Sequence, residues 1–134
     1  PAGLGAKCAA PDRPVVTFTG DLGLWYHIAD IETAVRWGIN TITIVNNNHS
    51  GNQSERGFAI AYDGQPTEKS RELWVHREVD FANLADGIGA LGIRVTSSEQ
   101  IRPAFAQALT AERPVVIDVV TDIEAAAPVA WRFD

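Results

Sequence analysis

Two short apolar runs rich in β-branched residues constrain the fold of this chain more than any other feature. They occupy residues 15–19 and 41–45, and turn or polar residues bound each of them, so each predicts a buried β-strand. Residues 25–37 between them carry apolar side chains at helical spacing, namely Ile28, Ile31, Ala34 and Val35. The segment therefore predicts a strand–helix–strand unit, and a helical crossover of this kind joins parallel neighbouring strands.

A polar cluster follows each predicted strand, one around Asp21 and one at residues 46–48. Because the carboxyl ends of parallel strands meet at one edge of a sheet, both clusters are expected where open α/β sheets bind ligands. Carboxylate and amide oxygens are typical Mg²⁺ ligands, and Gly20 and Gly23 allow a diphosphate to approach the backbone closely. The pattern predicts a Mg²⁺–diphosphate site, but it also fits a helix-capping aspartate followed by asparagines in local turns.

The second half of the chain continues the alternation of helices and strands. Residues 49–72 contain several glycines and many polar residues, which predicts a long loop with one helical turn. A helix is expected from Asp80, as its N-cap, to about Leu91, and a short strand at residues 92–95.

Ser98 is expected to cap a second helix, and residues 114–120 predict the last buried strand. The tail, residues 125–134, has weak periodicity and is expected to dock on another domain. The predicted fold is therefore α/β: a three-layer Rossmann-like domain with a mainly parallel sheet flanked by helices. The side chains of the second helix expected to face the core are Ile101, Phe105, Ala108 and Leu109.

Composition excludes several classes of partner. The formal net charge is −6 at pH 7 and no basic patch is present, which argues against nucleic acid. No run of about 18 apolar residues occurs, so no membrane span is expected. The start of the chain also lacks the apolar segment of a signal peptide. We therefore expect a cytoplasmic location and no membrane partner.

The order Gly-Asp-Leu-Gly turn, helix, strand and Asn-Asn resembles the signature of thiamine-diphosphate-dependent enzymes. The segments GAKCAAPDRPVVTFTGD and IETAVRWGINTITIVNNN fit the same family. The chain looks most like the carboxyl-terminal, diphosphate-binding (PP) domain of the acetolactate synthase, benzoylformate decarboxylase and oxalyl-CoA decarboxylase group. The resemblance covers nearly the whole of residues 1–134. It implies that the first strand of the domain is lacking and that the chain is a fragment of a larger multidomain enzyme.

The resemblance also implies the cofactors, thiamine diphosphate and Mg²⁺, and their ligands. Asp21 matches the first metal ligand, and Asn48, which follows it by 27 residues, matches the second. The register within the three consecutive asparagines is ambiguous, and the resemblance favours residues 47–48 as the pair. The third metal ligand would be the backbone carbonyl of Ser50. The residues expected to contact the cofactor are Gly20, Asp21, Leu22, Gly23, Asn47, Asn48, Ser50 and Gly51.

Leu22 departs from the family pattern, in which this position is small, and it could either crowd a diphosphate or point into the core. Leucine also takes positive φ only at a cost. His49 lies beside the expected metal ligands, and its side chain is expected to face substrate or solvent.

The function implied by the resemblance is that of a 2-keto acid decarboxylase or carboligase of the acetolactate synthase type. The glutamate that activates the cofactor would come from the pyrimidine-binding domain of the same or a neighbouring subunit, in a homodimer or homotetramer. No catalytic residue is therefore expected within this chain, which should not turn over a small 2-keto acid substrate alone. Two alternatives stay open: a degenerate domain that serves subunit assembly without cofactor, and an unrelated α/β module for another phosphorylated ligand.

Overall fold

A computed structural model describes residues 1–64 and 67–125, and four parallel strands form its sheet. The strands are β1 (Val16–Gly20), β2 (Ile42–Asn47), β3 (Leu91–Val95) and β4 (Val115–Val120), in the order β1-β2-β4-β3. The helices are α1 (Ala2–Ala9), α2 (Asp21–Trp25), α3 (Ile28–Trp37), α4 (Asn52–Ala61), α5 (Glu68–Arg71), α6 (Phe81–Gly87) and α7 (Ser98–Leu109). The predicted α/β fold with a parallel sheet is confirmed.

Helices cover both faces of the sheet, which gives the three predicted layers. On one face, the core combines Leu24 and Ile31 of α2 and α3 with Phe81 of α6 and with Val45 and Val116 of the sheet. On the other face, α7 packs on β3 and β4. The core on this face contains Ile42, Val95, Ala104, Ala108, Val115 and Ile117. Successive residues of each central strand therefore serve different cores, as the period of a strand requires.

Two helix starts follow from capping side chains. Asp80 caps α6, as predicted, because its carboxylate accepts the Asn83 N–H at 2.8 Å. The cap of α7 lies one residue earlier than predicted. Ser97 and Gln100 form a capping box there, so Ser98 is the first residue of the helix. Helix α6 also ends before the predicted Leu91, which belongs to β3, since Gly89 turns the chain with φ +92°.

The segment between β1 and β2 is not one helix, as predicted, but two. Helix α2 already begins at Asp21 and ends at Trp25, and α3 begins at Ile28 after a break at His27, whose φ is −132°. The inward face of α7 is also narrower than predicted. Ala104 and Ala108 are buried, whereas Ile101 and Leu109 are each 48% exposed, because small side chains bring this helix close to the sheet.

The long loop predicted at residues 49–72 is wrong, since this region contains the ten-residue helix α4 and the short helix α5. Trp74 is buried at the end of the excursion, where its ring centroid lies 5.5 Å from that of Phe58. The Phe58 ring in turn stacks on Tyr62. These aromatic contacts give the excursion an apolar centre of its own, which the many polar residues of the segment conceal in the sequence.

Strand β1 forms one edge of the sheet. Among the described residues it pairs with β2 alone. On the face that α7 covers elsewhere, Val16 is 44% exposed and Phe18 is 72% exposed, so α7 does not reach this strand. Within the described part of the chain, no helix combines the length and apolar character needed to cross a bilayer. The prediction that the tail docks on another domain concerns mainly residues 126–134, which lie outside the described residues.

Candidate functional site

A cavity of about 430 Å³ lies at the carboxyl ends of β1 and β2 and is called here the Asp21 cavity. It contains seven of the eight residues that the sequence assigned to cofactor binding, the exception being Asn47. Strand β1 delivers the Gly20–Gly23 turn to this edge, and β2 delivers the asparagines and the chain that follows them. The lining residues are Gly20, Asp21, Leu22, Gly23, Tyr26, Asn46, Asn48, Ser50, Gly51, Gln53 and Ser54.

Two oxygen-bearing side chains converge in the Asp21 cavity. Asp21 is 3% exposed; its Oδ1 accepts the N–H of Leu22 at 2.7 Å, and its Oδ2 accepts the N–H of Ser50 at 2.9 Å. Asn48 Oδ1 accepts the same Ser50 N–H at 3.2 Å. A carboxylate oxygen and an amide oxygen therefore lie within hydrogen-bond distance of one nitrogen, although Asp21 follows β1 and Asn48 follows β2.

The charge of Asp21 has no counter-ion within residues 1–64 and 67–125. None of the ion pairs in that part of the chain involves this carboxylate. A buried charge of this kind is costly unless a cation or several hydrogen bonds compensate it. The described residues also contain no group of three or more His, Cys, Asp or Glu side chains arranged to hold a metal. A hard cation bound by one carboxylate, one amide and one carbonyl needs no such group.

His49 sets the path of the chain between the two candidate ligands. Its φ of +57° lies in the left-handed region, which is uncommon for a residue other than glycine. This conformation turns the chain between Asn48 and Ser50, so that the Ser50 N–H faces the Asp21 carboxylate. The backbone of His49 is therefore part of the site architecture, while its buried Nδ1 has no hydrogen-bond partner in the part of the chain that the structure describes.

Leu22 fits the turn without the backbone cost anticipated from its sequence position. It is the second residue of α2 and its φ is not positive. Among the described non-glycine residues, positive φ occurs at His49 and Asp63. Its side chain lies at the cavity and reaches towards Gly51, where a Cβ would come within 2.8 Å of Leu22 Cδ2. A glycine at position 51 thus makes room for the leucine at position 22.

Asn47 lies behind the Asp21 cavity rather than on its wall. It is fully buried, and its Nδ2 donates to Asp118 Oδ1 at 2.8 Å and to the Val79 carbonyl at 3.0 Å. Asp118 Oδ2 also accepts the Phe81 N–H at 3.0 Å and a bond from Arg94 Nη1 at 2.8 Å. Asn47 therefore ties β2 to β4 and to the start of α6, and a direct contact with cofactor stays a prediction.

The structure adds residues that the sequence reasoning missed. Asn46 and Tyr26 line the Asp21 cavity, as do Gln53 and Ser54 in the first turn of α4. Nothing in the sequence around Gln53 and Ser54 predicts that they line a cavity, because they reach it only through helix α4, which replaces the predicted loop. Two backbone bonds close this excursion beside the site, from Gly51 N–H to the Trp74 carbonyl and from His76 N–H to the His49 carbonyl.

Comparison with known proteins places this chain in a family. The family model for the thiamine pyrophosphate enzyme C-terminal TPP-binding domain matches residues 1–119. The chain is 36% identical over 132 residues to glyoxylate carboligase of Escherichia coli O157:H7, covering 91% of this chain and 22% of that protein. It is 32% identical over 127 residues to acetolactate synthase of Bacillus subtilis, with 91% and 20% covered. The chain spans about a fifth of the length of the curated relatives it matches.

A solved structure gives the same assignment. The thiamine diphosphate-dependent 4-hydroxybenzoylformate decarboxylase of Rhodococcus jostii RHA1 is 31% identical and superimposes with a TM-score of 0.78, covering 93% of this chain and 23% of the other. The sequence comparison and the fold comparison therefore indicate the same family as the Gly-Asp and Asn-Asn motifs of the sequence. The chain belongs to the thiamine pyrophosphate enzymes, as a C-terminal TPP-binding domain of that family.

Proposed function

We propose that this domain binds thiamine diphosphate through Mg²⁺ in the Asp21 cavity, within a 2-keto acid decarboxylase or carboligase of the acetolactate synthase type. The observation that carries the proposal is the convergence of Asp21 and Asn48 oxygens on the Ser50 N–H, around a buried charge with no counter-ion in the described residues. A Mg²⁺ ion would supply the missing positive charge and accept both oxygens as ligands.

The residues present fit such a cation and its diphosphate. Asp21, Asn48 and the backbone carbonyl of Ser50 would hold the metal, leaving the remaining octahedral positions for phosphate oxygens and water. The first turn of α4 borders the cavity through Gln53 and Ser54. The positive end of a ten-residue helix therefore faces the place proposed for the diphosphate, which favours an anion there.

The remaining part of the proposal concerns what this domain does during catalysis. When bound, thiamine diphosphate supplies a nucleophilic carbon and an electron sink for cleaving or forming a bond beside a ketone. This chain would anchor and orient the diphosphate end, with Leu22 and Tyr26 walling the cavity. The activating glutamate would come from the pyrimidine-binding domain of the same or a neighbouring subunit, so the chain alone should not turn over substrate.

The names of the relatives support the substrate class. Glyoxylate and 4-hydroxybenzoylformate are both 2-keto acids, and the proteins named for them are a carboligase and a decarboxylase. The chain spans about a fifth of the length of its curated relatives, and we propose that the activity requires a longer protein. We propose that this protein is a cytoplasmic homodimer or homotetramer in which residues 1–134 form the PP domain.

Calorimetric titration of thiamine diphosphate into the chain, with MgCl₂ or with EDTA, tests the binding proposal. We expect binding only with Mg²⁺, and we expect Asp21→Ala and Asn48→Ala to lose at least about tenfold in affinity, since each removes a metal ligand. Glu112→Ala is the matched control, because Glu112 is an exposed carboxylate outside the cavity lining.

Binding that is equal in EDTA, or that survives Asp21→Ala unchanged, would contradict the metal-dependent site. No binding at all by a folded chain would favour the alternative of a domain that serves assembly without cofactor. The exposed Val16 and Phe18 on β1 are the structural feature that makes this alternative worth separating from the first.

A further inference from the structure

A second cavity lies at the amino ends of β2 and β4, opposite the strand ends that carry the Asp21 cavity, and is called here the Thr41 cavity. Its volume is about 210 Å³, and its lining shares no residue with that of the Asp21 cavity. The loop between α1 and β1 forms one wall, and the end of α7 with the turn after it forms another. Val15, Ile42 and Ala108 contribute apolar surface between these walls.

Positive charge gathers at the Thr41 cavity although the chain as a whole carries a net charge of −6. Lys7, Arg13 and Arg113 line it, against the single carboxylate of Asp12. Lys7 Nζ donates to the carbonyls of Pro11 at 2.6 Å and Arg13 at 2.8 Å, and so fixes the loop that carries Arg13. Across the described residues, neither Arg13 nor Arg113 takes part in an ion pair.

Two buried side-chain oxygens at this cavity have no hydrogen-bond partner among the described residues. Thr41 is 2% exposed, and its hydroxyl oxygen is unpartnered, as is the side-chain oxygen of the adjacent Asn40. Both residues line the cavity. A buried hydroxyl without a partner destabilises a fold, and such groups in native proteins call for an explanation. A ligand held in the cavity would give the Thr41 hydroxyl the acceptor that residues 1–64 and 67–125 do not provide.

We infer that the Thr41 cavity binds a small dianionic oxyanion, of the phosphate monoester class. Three cationic side chains against one carboxylate leave two positive charges, which matches a dianion. The Thr41 hydroxyl would donate to one of its oxygens, while the arginines bind the others. The apolar surface of Val15 and Ile42 leaves room for a short hydrocarbon group. This site is independent of the proposed cofactor site, since the two sites lie at opposite ends of the strands.

The inference is tested by following backbone amide NMR shifts of the ¹⁵N-labelled chain during titration with inorganic phosphate, against sodium chloride at equal ionic strength. We expect saturable phosphate shifts at Asn40, Thr41 and Arg113. Arg113→Gln should weaken binding by at least about tenfold, since it removes a charge-assisted hydrogen bond. Asp12→Asn should tighten binding, because it removes the one repelling charge in the lining. Asp21→Ala should leave these shifts unchanged.

Thr41→Val is the most specific variant, because valine has the shape of threonine without its hydroxyl. We expect weaker phosphate binding together with an unchanged or higher melting temperature, since an unpartnered buried hydroxyl is removed. If Thr41→Val fails to fold, the exposed Arg113→Gln still decides the question. Phosphate shifts that match those of chloride, or that persist unchanged in Arg113→Gln, would overturn the inference. Acetate binding as tightly as phosphate would overturn the assignment to a dianion.

Discussion

Asp21 and Asp118 are both buried carboxylates near the carboxyl edge of the sheet, yet their surroundings differ in kind. Asp118 accepts bonds from Asn47, from the Phe81 N–H and from the guanidinium of Arg94, so the chain itself balances its charge. Within the described residues, Asp21 accepts two backbone N–H bonds, from Leu22 and Ser50, and no cation there pairs with it. The difference teaches that burial alone does not mark a ligand site. Our proposal uses a second criterion, a buried charge that has no counter-ion among the described residues.

Two neighbouring asparagines belong to different clusters, Asn47 to that of Asp118 and Asn48 to that of Asp21. Asn47 is the last residue of β2 and points to the face where Asp118 lies, whereas Asn48, one residue later, borders the Asp21 cavity. Side chains of a strand alternate between faces, so adjacent residues of the same type reach opposite environments. One asparagine thus links strands, and the other borders the cavity in which we propose that a metal binds.

The largest effect should come from breaking the compensated cluster. We expect Asp118→Ala to lower the free energy of unfolding by about 3–5 kcal/mol, because it removes the buried partner of Arg94 and the shared acceptor of the Asn47 amide and the Phe81 N–H. Urea denaturation followed by circular dichroism measures this. The exposed Glu112→Ala serves as control and should change stability by less than about 0.5 kcal/mol. A loss in Asp118→Ala no greater than in the control would contradict the structural role.

The next effect should come from the other partner of the same cluster. Arg94→Met should cost about 2 kcal/mol, less than a fully buried pair, because Arg94 is partly exposed and some of its charge is solvated. Arg94→Lys should recover only part of this loss, since lysine cannot replace the fork that reaches both Asp118 and Glu78. Equal stability of wild type and Arg94→Met in the same denaturation assay would sink this account.

Asp21→Asn should have a small effect on the stability of the metal-free chain and a large effect on its stabilisation by ligand. In the metal-free chain we expect a change of less than about 1 kcal/mol, because the loss of one N–H acceptor is offset by removal of an uncompensated buried charge. With Mg²⁺ and thiamine diphosphate at about 100 times their dissociation constant, the wild type should gain about 2.7 kcal/mol and the variant nothing. Thermal unfolding with and without these ligands measures both. A metal-free loss as large as that of Asp118→Ala would show that the two carboxylates do the same work.

The smallest effect belongs to a third, exposed carboxylate. Hydrogen bonds from its own backbone N–H, Ser97 and Ser98 lower the pKa of Glu99 below 4.5. Because the folded pKa is the lower one, this stabilisation is present above the unfolded pKa and is lost as the pH falls through the folded value. Glu99→Gln should therefore reduce stability slightly near neutral pH and not at pH 2. An NMR titration in which the Glu99 carboxyl titrates at or above 4.5 would contradict the expectation.

The parts of the fold that could be predicted are those that one local pattern decides. The apolar runs before Asp21 and Asn46 specify β1 and β2, and the crossover between them specifies a parallel edge that carries both clusters. Helix α4 could not be predicted, because its stability depends on Trp74, which packs on Phe58 from sixteen residues away. Gln53 and Ser54 were therefore missed as cavity residues.

Other features depended on distances that a sequence does not contain. The inward face of α7 is set by how closely Ala104 and Ala108 let it approach the sheet, so the larger Ile101 and Leu109 remain outside. Likewise, three consecutive asparagines are equivalent as letters. Only the end of β2 decides that Asn47 turns towards Asp118 and Asn48 towards Asp21.

The open flank of β1 has a practical consequence for anyone handling this chain. The outer edge of β1 pairs with no other strand among the described residues, and such an edge is a template for a further strand. The exposed Phe18 adds apolar surface there. Concentrated solutions should therefore self-associate through this flank, with a sedimentation coefficient that rises with loading. A lysine in place of Phe18 should keep the chain monomeric without touching either cavity, which makes it a suitable background for the titrations above.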